Sequence, residues 1–519
     1  MTTSGETHQV NKWVVATTVM LPTFIEIMDI SVVNVSLPHI QGSLSAGLDE
    51  VTWILTSYLV SNAIVIPISG WLAGIFGRKR YLLFSLILFT ASSVVCGSAF
   101  SLSILIVARV LQGIGGGGLQ PISQAILLES FPEEERGLAM AVFGMGVVLA
   151  PIMGPVLGGW LTDTWNWRWV FYINLPAGIL AIALVFLFVH DPGYIRRRLV
   201  RIDAWGLLFL AVGLGCLQIV LDKGQRKDWF SSNFIITFSL IAGAALTMLL
   251  ITELRSSHPV VNLRVLRDRS FAIGNLIMFA GFFCLFSSIV LLPLYLQNLM
   301  GYTAFWAGLV LGPGGIAAFL IMPLAGLMMK KNVSPRLLLA IGLTISAYAL
   351  WLMSGFNLDA GFRAVVLPRI VQGFGLGLFF VPLSAATFSG IPNEETGNAS
   401  GIFNLLRNLG GSFGVALSTT VLARRTQLHQ TFLAERATPY NPSFQHYIAQ
   451  VQQWLHVNLP SHAGASAALG EIYQQVLRQA NMMAFNDTFW LLAWATAALV
   501  PLTIFFRQQS INKLSEGLH

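Results

Sequence analysis

The sequence predicts an all-α polytopic membrane protein with fourteen spans, arranged as two six-helix halves plus two inserted helices. Three observations carry this. Of 519 residues, 55% are hydrophobic and only 10% charged, with a mean hydropathy of +0.70. The apolar runs are long and continuous. A motif in the first part of the chain also recurs in the second at a fixed offset. Soluble domains carry roughly 25% charge, and so few polar groups could not clothe a surface facing water. Soluble enzymes, nucleic-acid binders and secreted scaffolds are thereby excluded.

A helix needs about 20 apolar residues to cross a hydrocarbon core of roughly 30 Å. Runs of that length, without the alternation of barrel strands, read as helices. The expected spans are 14–36, 52–73, 81–99, 103–128, 138–161, 168–189, 204–221, 232–252, 271–296, 304–329, 337–356, 362–389, 397–423 and 487–506. The first run is too long for a signal-peptide core and lacks a small-residue cleavage site, so it is expected to remain as a span. Cys96, Cys216 and Cys284 all lie in apolar runs, an odd set with neither a disulfide framework nor metal-ligand spacing.

An even number of spans puts both termini on one side, and Lys and Arg decide which. With the N-terminus inside, the inner segments carry 18 basic residues and the short outer loops only 5. Both termini are therefore expected in the cytoplasm. The net charge of +7 reflects topology and calls for no nucleic acid.

The repeat links Arg109-x-x-Gln112-Gly113-x-Gly115 to Arg369-x-x-Gln372-Gly373-x-Gly375, an offset of 260. The loop Phe131-Pro-Glu-Glu-Glu-Arg-Gly137 answers Ile391-Pro-Asn-Glu-Glu-Thr-Gly397 at the same offset. Repeated halves around a midplane site are how many secondary transporters are built. The expected division is 1–190 for the first half, 191–269 for the inserted pair with its linkers, and 270–519 for the second half. The last includes a polar outer segment, 424–486.

The conformational motifs follow. Gly70-Trp-Leu-Ala-Gly74-Ile-Phe-Gly77-Arg78-Lys79-Arg80 joins tight-turn glycines to cations. Gln112 and Gly113 follow Arg109, and the fifth span presents Gly154, Pro155, Gly158 and Gly159 as a small-residue face for close helix packing. Together these resemble signatures of the major facilitator superfamily, the fifth-span pattern being that of its antiporters. Met28-Asp29-Ile-Ser-Val-Val-Asn34-Val-Ser-Leu-Pro38 and Trp165-Asn-Trp167-Arg168 through Asn174-Leu-Pro176-Ala-Gly178 narrow the resemblance. With fourteen spans it is to the EmrB/QacA-type drug:proton antiporters, and the segment 424–486 is most like the EmrB-like inner-membrane members. One position departs. The family usually has an acid where Gly74 stands, so a latch on that side must use other contacts, such as Arg78 or helix termini.

Charges inside spans are costly and usually face an interior. Glu26 and Asp29, three apart, share a helical face, and Arg109 is the cationic counterpart. Proton coupling is expected of these three, the resemblance supporting Asp29 and Arg109 while Glu26 rests on spacing. The competing reading ties each carboxylate permanently to an arginine or to backbone. Asn34, Tyr58, Asn62, Gln120, Gln124 and Arg407 are polar residues on apolar spans and are candidates to line a substrate cavity. Glu129 and Glu133, Glu134 and Glu135 read as a solvated acidic cluster. With no Gly-Lys-Ser/Thr phosphate loop, neither ATP nor any cofactor is expected, nor a metal, nor enzyme activity.

The resemblance implies a proton-driven exporter of amphipathic or hydrophobic compounds in the inner membrane. It also implies a periplasmic adaptor and an outer-membrane channel if the source has two membranes. Export of one metabolite, such as a fatty acid, siderophore or peptide, is the alternative, and a non-transporting sensor or scaffold a third reading. Segment 424–486 carries two amphipathic stripes, Phe444 to Leu455 and Leu469 to Leu477, suited to a partner or to a lid over the transporter.

The loop charges give a direct test of orientation. A single cysteine near Arg197 or Lys331 is expected to resist an impermeant thiol reagent added outside intact cells and to react once the membrane is opened.

Overall fold

The structure is a computed structural model that describes residues 11–191, 203–256, 259–435, 437–438, 440–458 and 465–506. Its helices are α1 (Lys12–Ser43), α2 (Leu48–Val51), α3 (Trp53–Phe76), α4 (Arg78–Ser98), α5 (Leu102–Gly116), α6 (Leu119–Ser130), α7 (Arg136–Thr164), α8 (Trp169–Tyr172) and α9 (Asn174–Phe188). Then come α10 (Ala204–Lys223), α11 (Asn233–Arg255), α12 (Arg269–Asn298), α13 (Ala304–Lys330), α14 (Pro335–Met353) and α15 (Phe362–Phe388). The last three are α16 (Thr396–Ala434), α17 (Pro442–Asn458) and α18 (Ala465–Ala497).

Thirteen helical segments among the described residues are long and apolar enough to cross a membrane. The remaining expected span, 397–423, is the first part of α16, whose mean apolarity is lowered by Asn398, Asn404, Arg407 and Asn408. Asn404 and Arg407 are buried, so polarity here faces protein, where partners exist. Large apolar side chains such as Phe84, Phe186, Leu240 and Leu320 stand exposed around the outside, the pattern of a surface facing lipid.

The two halves repeat one another's packing. In the first, α1 packs on α7, α3 and α4 on α5, and α4 on α9. In the second, α12 packs on α16, α13 and α14 on α15, and α14 on α18. The halves meet along two seams, α3 with α16 and α7 with α13; since α13 answers α3 and α16 answers α7 in the repeat, the two seams are equivalent. The inserted pair α10–α11 lies over the first seam, with α10 touching both α3 and α16. Its Gln218 donates to Ser412 Oγ (3.1 Å), and Trp229 Nε1 donates to Thr420 Oγ1 (2.9 Å).

Three elements differ from expectation. The fourth span is broken into α5 and α6 around the run Gly115–Gly118, where helix propensity is lowest. A Cβ at Gly116 would lie 2.7 Å from the Tyr58 hydroxyl, so bulk is excluded as well. The second amphipathic stripe is not a separate helix. With no breaker between Arg478 and Asp487, it runs into the last span as the 33-residue α18, which ends just before Pro501. The stripes also face each other, Val451 and Leu455 of α17 burying against Ala468 and Ile472 of α18.

The acidic cluster is likewise more than solvated. Glu129 pairs with Arg78, and Glu135 is held by Lys12 and by Lys330 (3.0 Å), joining helices from both halves. Arg196, Arg197, Arg198 and Arg201, together with Pro460 and Gly464, lie outside the described residues, as do Arg507 and Lys513 beyond α18.

The candidate proton site and the contacts between halves

Asp29 and Arg109 form the innermost pair. Both are fully buried, and Arg109 Nη1 lies 2.6 Å from Asp29 Oδ2. The carboxylate also accepts from Gln112 Nε2 (3.0 Å) and Asn174 Nδ2 (2.6 Å). Arg109 donates to Gln112 Oε1 (2.8 Å) and to the Ile54 carbonyl (3.1 Å), and its guanidinium sits 4.1 Å from the Tyr58 ring centre. Such an ion pair offsets its desolvation only as far as hydrogen bonds satisfy its other groups. Here both carboxylate oxygens and Arg109 Nε and Nη1 are bonded, while Arg109 Nη2 has no hydrogen-bond partner among the described residues. Four helices, α1, α3 (through Tyr58 and the Ile54 carbonyl), α5 and α9, therefore converge on one charge pair.

Glu26 lies one turn away on the same face of α1 and is just as buried. Its direct partners are neutral: Asn62 Nδ2 donates at 3.0 Å, the Tyr58 hydroxyl at 3.4 Å, and Gln120 Nε2 closes on the second oxygen. Gln120 Oε1 in turn accepts from Arg407 of α16, so the chain Glu26–Gln120–Arg407 runs from one half to the other. One turn further along α6, Gln124 Oε1 accepts from Ser400 Oγ (2.8 Å) and Asn404 Nδ2 (2.6 Å).

Of the residues expected to line a cavity, Tyr58, Asn62, Gln120, Gln124 and Arg407 are thus buried in this network. Asn34 alone is exposed. It belongs to a face of α1 that runs from fully buried at Thr23, through half-buried Ile27 and Ile30, to exposed Asn34 and Pro38. Exposure grows toward the end of the bundle away from Lys12.

Of the conformational residues, Gly70, Gly77 and Arg78 lie toward the opposite, basic end, whereas Gln112, Gly113, Gly154 and Gly158 pack deeper in the first half. Gly77 has φ +87° at the turn between α3 and α4, a conformation that favours glycine. Arg78 reaches Glu129 and, across the seam, the Asn393 carbonyl (3.4 Å), while Arg136 reaches Asn393 Oδ1 (3.2 Å). A Cβ at Gly70 would lie 2.5 Å from the Gly397 carbonyl, so α3 and α16 touch backbone to backbone. At Gly74 a Cβ would meet nothing within 4 Å. Gly113 packs on Ser61, Gly154 on Ser31 and Gly158 on Val32, whereas Gly159 faces open space. Pro155 lies within α7, its side chain outside the described set.

The repeat extends into this chemistry with one substitution. Arg369 donates to Gln372 Oε1, and Gln372 Nε2 donates to Ser288 Oγ (2.9 Å). Ser288 of α12 thus takes the place that Asp29 has on α1.

The Major Facilitator Superfamily profile matches residues 19–415. The chain belongs to that superfamily. It is 39% identical over 497 residues to the multidrug export protein EmrB of Haemophilus influenzae, covering 94% of each chain. It is 38% identical to the EmrB of Escherichia coli strain K12, covering 93% of each. The fatty acid resistance protein FarB of Neisseria gonorrhoeae is 34% identical, again over 93% of each. Among solved structures, the human organic anion transporter MFSD10 superposes with a TM-score of 0.58 at 14% identity, covering 94% of this chain and 99% of the other. The proton:xylose symporter XylE gives 0.56 at 16%, covering 96% and 99%. These two establish the fold. This superfamily member is a multi-pass membrane transporter of the EmrB type and not an enzyme.

Asn174, which donates to Asp29, has as its one sequence signal its place in the Trp165–Gly178 motif. Ser400 and Asn404 carried none, since a contact across 276 and 280 residues leaves no local spacing.

Asp29→Asn is expected to cost about 3–5 kcal/mol, because it leaves Arg109 buried without its counter-ion. The check is the unfolding midpoint in detergent, which Asp29→Asn with Arg109→Gln should partly restore.

Proposed function

We propose that this protein is a proton-coupled antiporter that exports amphipathic or hydrophobic compounds across the inner membrane by alternating access. The observation that carries the reading is Glu26: a fully buried carboxylate at the contact between halves, held only by neutral groups. Asp29, with Arg109, supplies the fixed charge pair beside it. A carboxyl group so placed can lose and regain a proton without breaking an ion pair. A mobile proton also draws about 2.3 kcal/mol per 100 mV from the membrane potential.

The basic end is read as cytoplasmic, with both termini there, following the loop charges. The contacts of Arg78, Arg136, Lys12 and Lys330 then close the cytoplasmic side, and the widening face at Asn34 opens outward as the substrate path. Arg78 and the Gly70–Gly397 contact serve as the latch in place of the acid absent at Gly74. The boundaries 1–190, 191–269 and 270–519 are the moving units and the inserted pair. The likeness to the fatty acid resistance protein FarB supports fatty acids as members of that hydrophobic substrate class.

An adaptor protein in the periplasm, leading to an outer-membrane channel, is the partner we assign to the outer segment. Tyr447 and Trp454 of α17 and Leu469 and Tyr473 of α18 are large apolar side chains exposed there. Aromatic residues of this kind anchor interfaces.

Adding substrate to purified, weakly buffered protein should release protons, and Glu26→Gln should abolish that release while substrate still binds. Release undiminished in Glu26→Gln would move the role to Asp29. Replacing 441–458 by a short flexible linker is expected to spare insertion and proton release in vesicles and to abolish drug resistance in two-membraned cells. Loss of transport in vesicles as well would make α17 a lid.

A further inference from the structure

We propose that Gln120 is the positioning residue that reports the charge of Glu26 to the second half of the protein, through Arg407. The proposal rests on the reading that Glu26 carries the transported proton. Gln120 sits at the second position of α6, immediately beyond the glycine break, and its amide is clamped between two unlike groups. An ionised carboxylate only accepts and a guanidinium only donates, so the amide has one workable orientation, with nitrogen toward Glu26 and oxygen toward Arg407. Both bonds are charge-assisted while Glu26 is ionised. Each polarises the amide in the sense that strengthens the other.

Protonation removes the charge at one end of this chain. Among the described hydrogen bonds, Gln120 is the link from Glu26 to Arg407 of the second half, beside the direct Coulomb attraction between the two charges. Facing Glu26 from α3 are Tyr58 and Asn62, and from α1 itself Asp29, already engaged by Arg109 of α5. Helix α7 carries charges only near its ends, at Arg136 and Asp163; α9 carries none, and the one acid of α6, Glu129, pairs with Arg78. Arg407 of α16 has amide oxygens as its acceptors, from Gln120 and from Asn408 (3.4 Å), and no carboxylate among the described residues lies in direct contact with it. The neighbouring Gln124–Ser400–Asn404 bonds join α6 to α16 through neutral groups, so protonation of Glu26 changes no charge in them.

The direction of coupling follows. With the basic end closed and Glu26 ionised, the chain ties α6 to α16, and the unloaded, unprotonated carrier stays closed. Proton uptake weakens the tie and frees the basic end to open. Gln120 thereby suppresses return without a proton.

The test places spin labels at Arg80→Cys and Lys331→Cys, both exposed at the basic end, in the full-length protein in lipid nanodiscs. Distances are measured from pH 5 to 8.5, with substrate-induced proton release on the same samples. The open-to-closed ratio is expected to rise about tenfold on acidification, the worth of one charge-assisted hydrogen bond. Gln120→Met should remove that shift and Arg407→Lys should retain it. If Gln120→Met does not fold, Gln120→Asn, which keeps the amide but shortens its reach, takes its place with the same expectation. A full shift in the Gln120 variant that disappears in Glu26→Gln overturns the relay and leaves the proton site standing. A shift that survives Glu26→Gln overturns the reading of Glu26 itself. No shift in the unmodified protein overturns the relay, while proton release still decides the reading of Glu26.

Discussion

A charge inside the bilayer must find its partner within the protein, and that constraint organises this fold. Asp29 and Arg109 meet it by drawing Gln112, Asn174 and the Ile54 carbonyl into one hydrogen-bonded knot. Helices α1, α3, α5 and α9 are fixed in rotation by that knot, since each must aim a polar group inward. Glu26 is then placed without further freedom, three residues along a helix whose face is already set. The second half has no such knot. Where Asp29 would recur, the uncharged Ser288 accepts from Gln372 beside Arg369, so of the two repeat-related positions only that of the first half carries an acid.

The fold was legible because lipid imposes length and continuity on every span, and because Lys and Arg punctuate the loops. The charged members of the site were legible for the same reason: Glu26, Asp29 and Arg109 stand out against apolar runs. What linked them was not. Whether Gln120 faces lipid, a cavity or Arg407 depends on how α6 meets α16, 287 residues away in sequence. The break at Gly115–Gly118 was readable as four glycines, yet its consequence, a tight fit against Tyr58, Asn62 and Glu26, needed three helices in place. The outer stripes were recognised as amphipathic, but amphipathicity does not say what covers it; here much of the covering is mutual.

The inserted pair constrains how the halves can move. It grips α3 at Thr52 and Thr56 through Lys223 and Asp222, and α16 at Ser412 and Thr420 through Gln218 and Trp229. Its following linker holds α16 again, where Asn262 exchanges bonds with Asn398 (3.1 and 3.0 Å). Among the described residues the inserted pair thus covers one seam and makes no comparable contact with the other, α7 with α13.

The length of α16 has a mechanical consequence. At 39 residues and 1.5 Å per residue it is about 58 Å long, roughly twice the hydrocarbon thickness. Arg407 lies about 16 Å from its basic end, and Ala434 about 40 Å beyond Arg407. A tilt of about 10° pivoting near Arg407 would swing the far tip by about 7 Å on that geometry. There α16 is braced to α18 by His429 and Asp487 (2.8 Å) and by Thr426 and Asn481 (3.0 Å). The rod therefore acts as a lever. A shift of about 3 Å at the basic end would thereby be magnified into one of about 7 Å at the far tip.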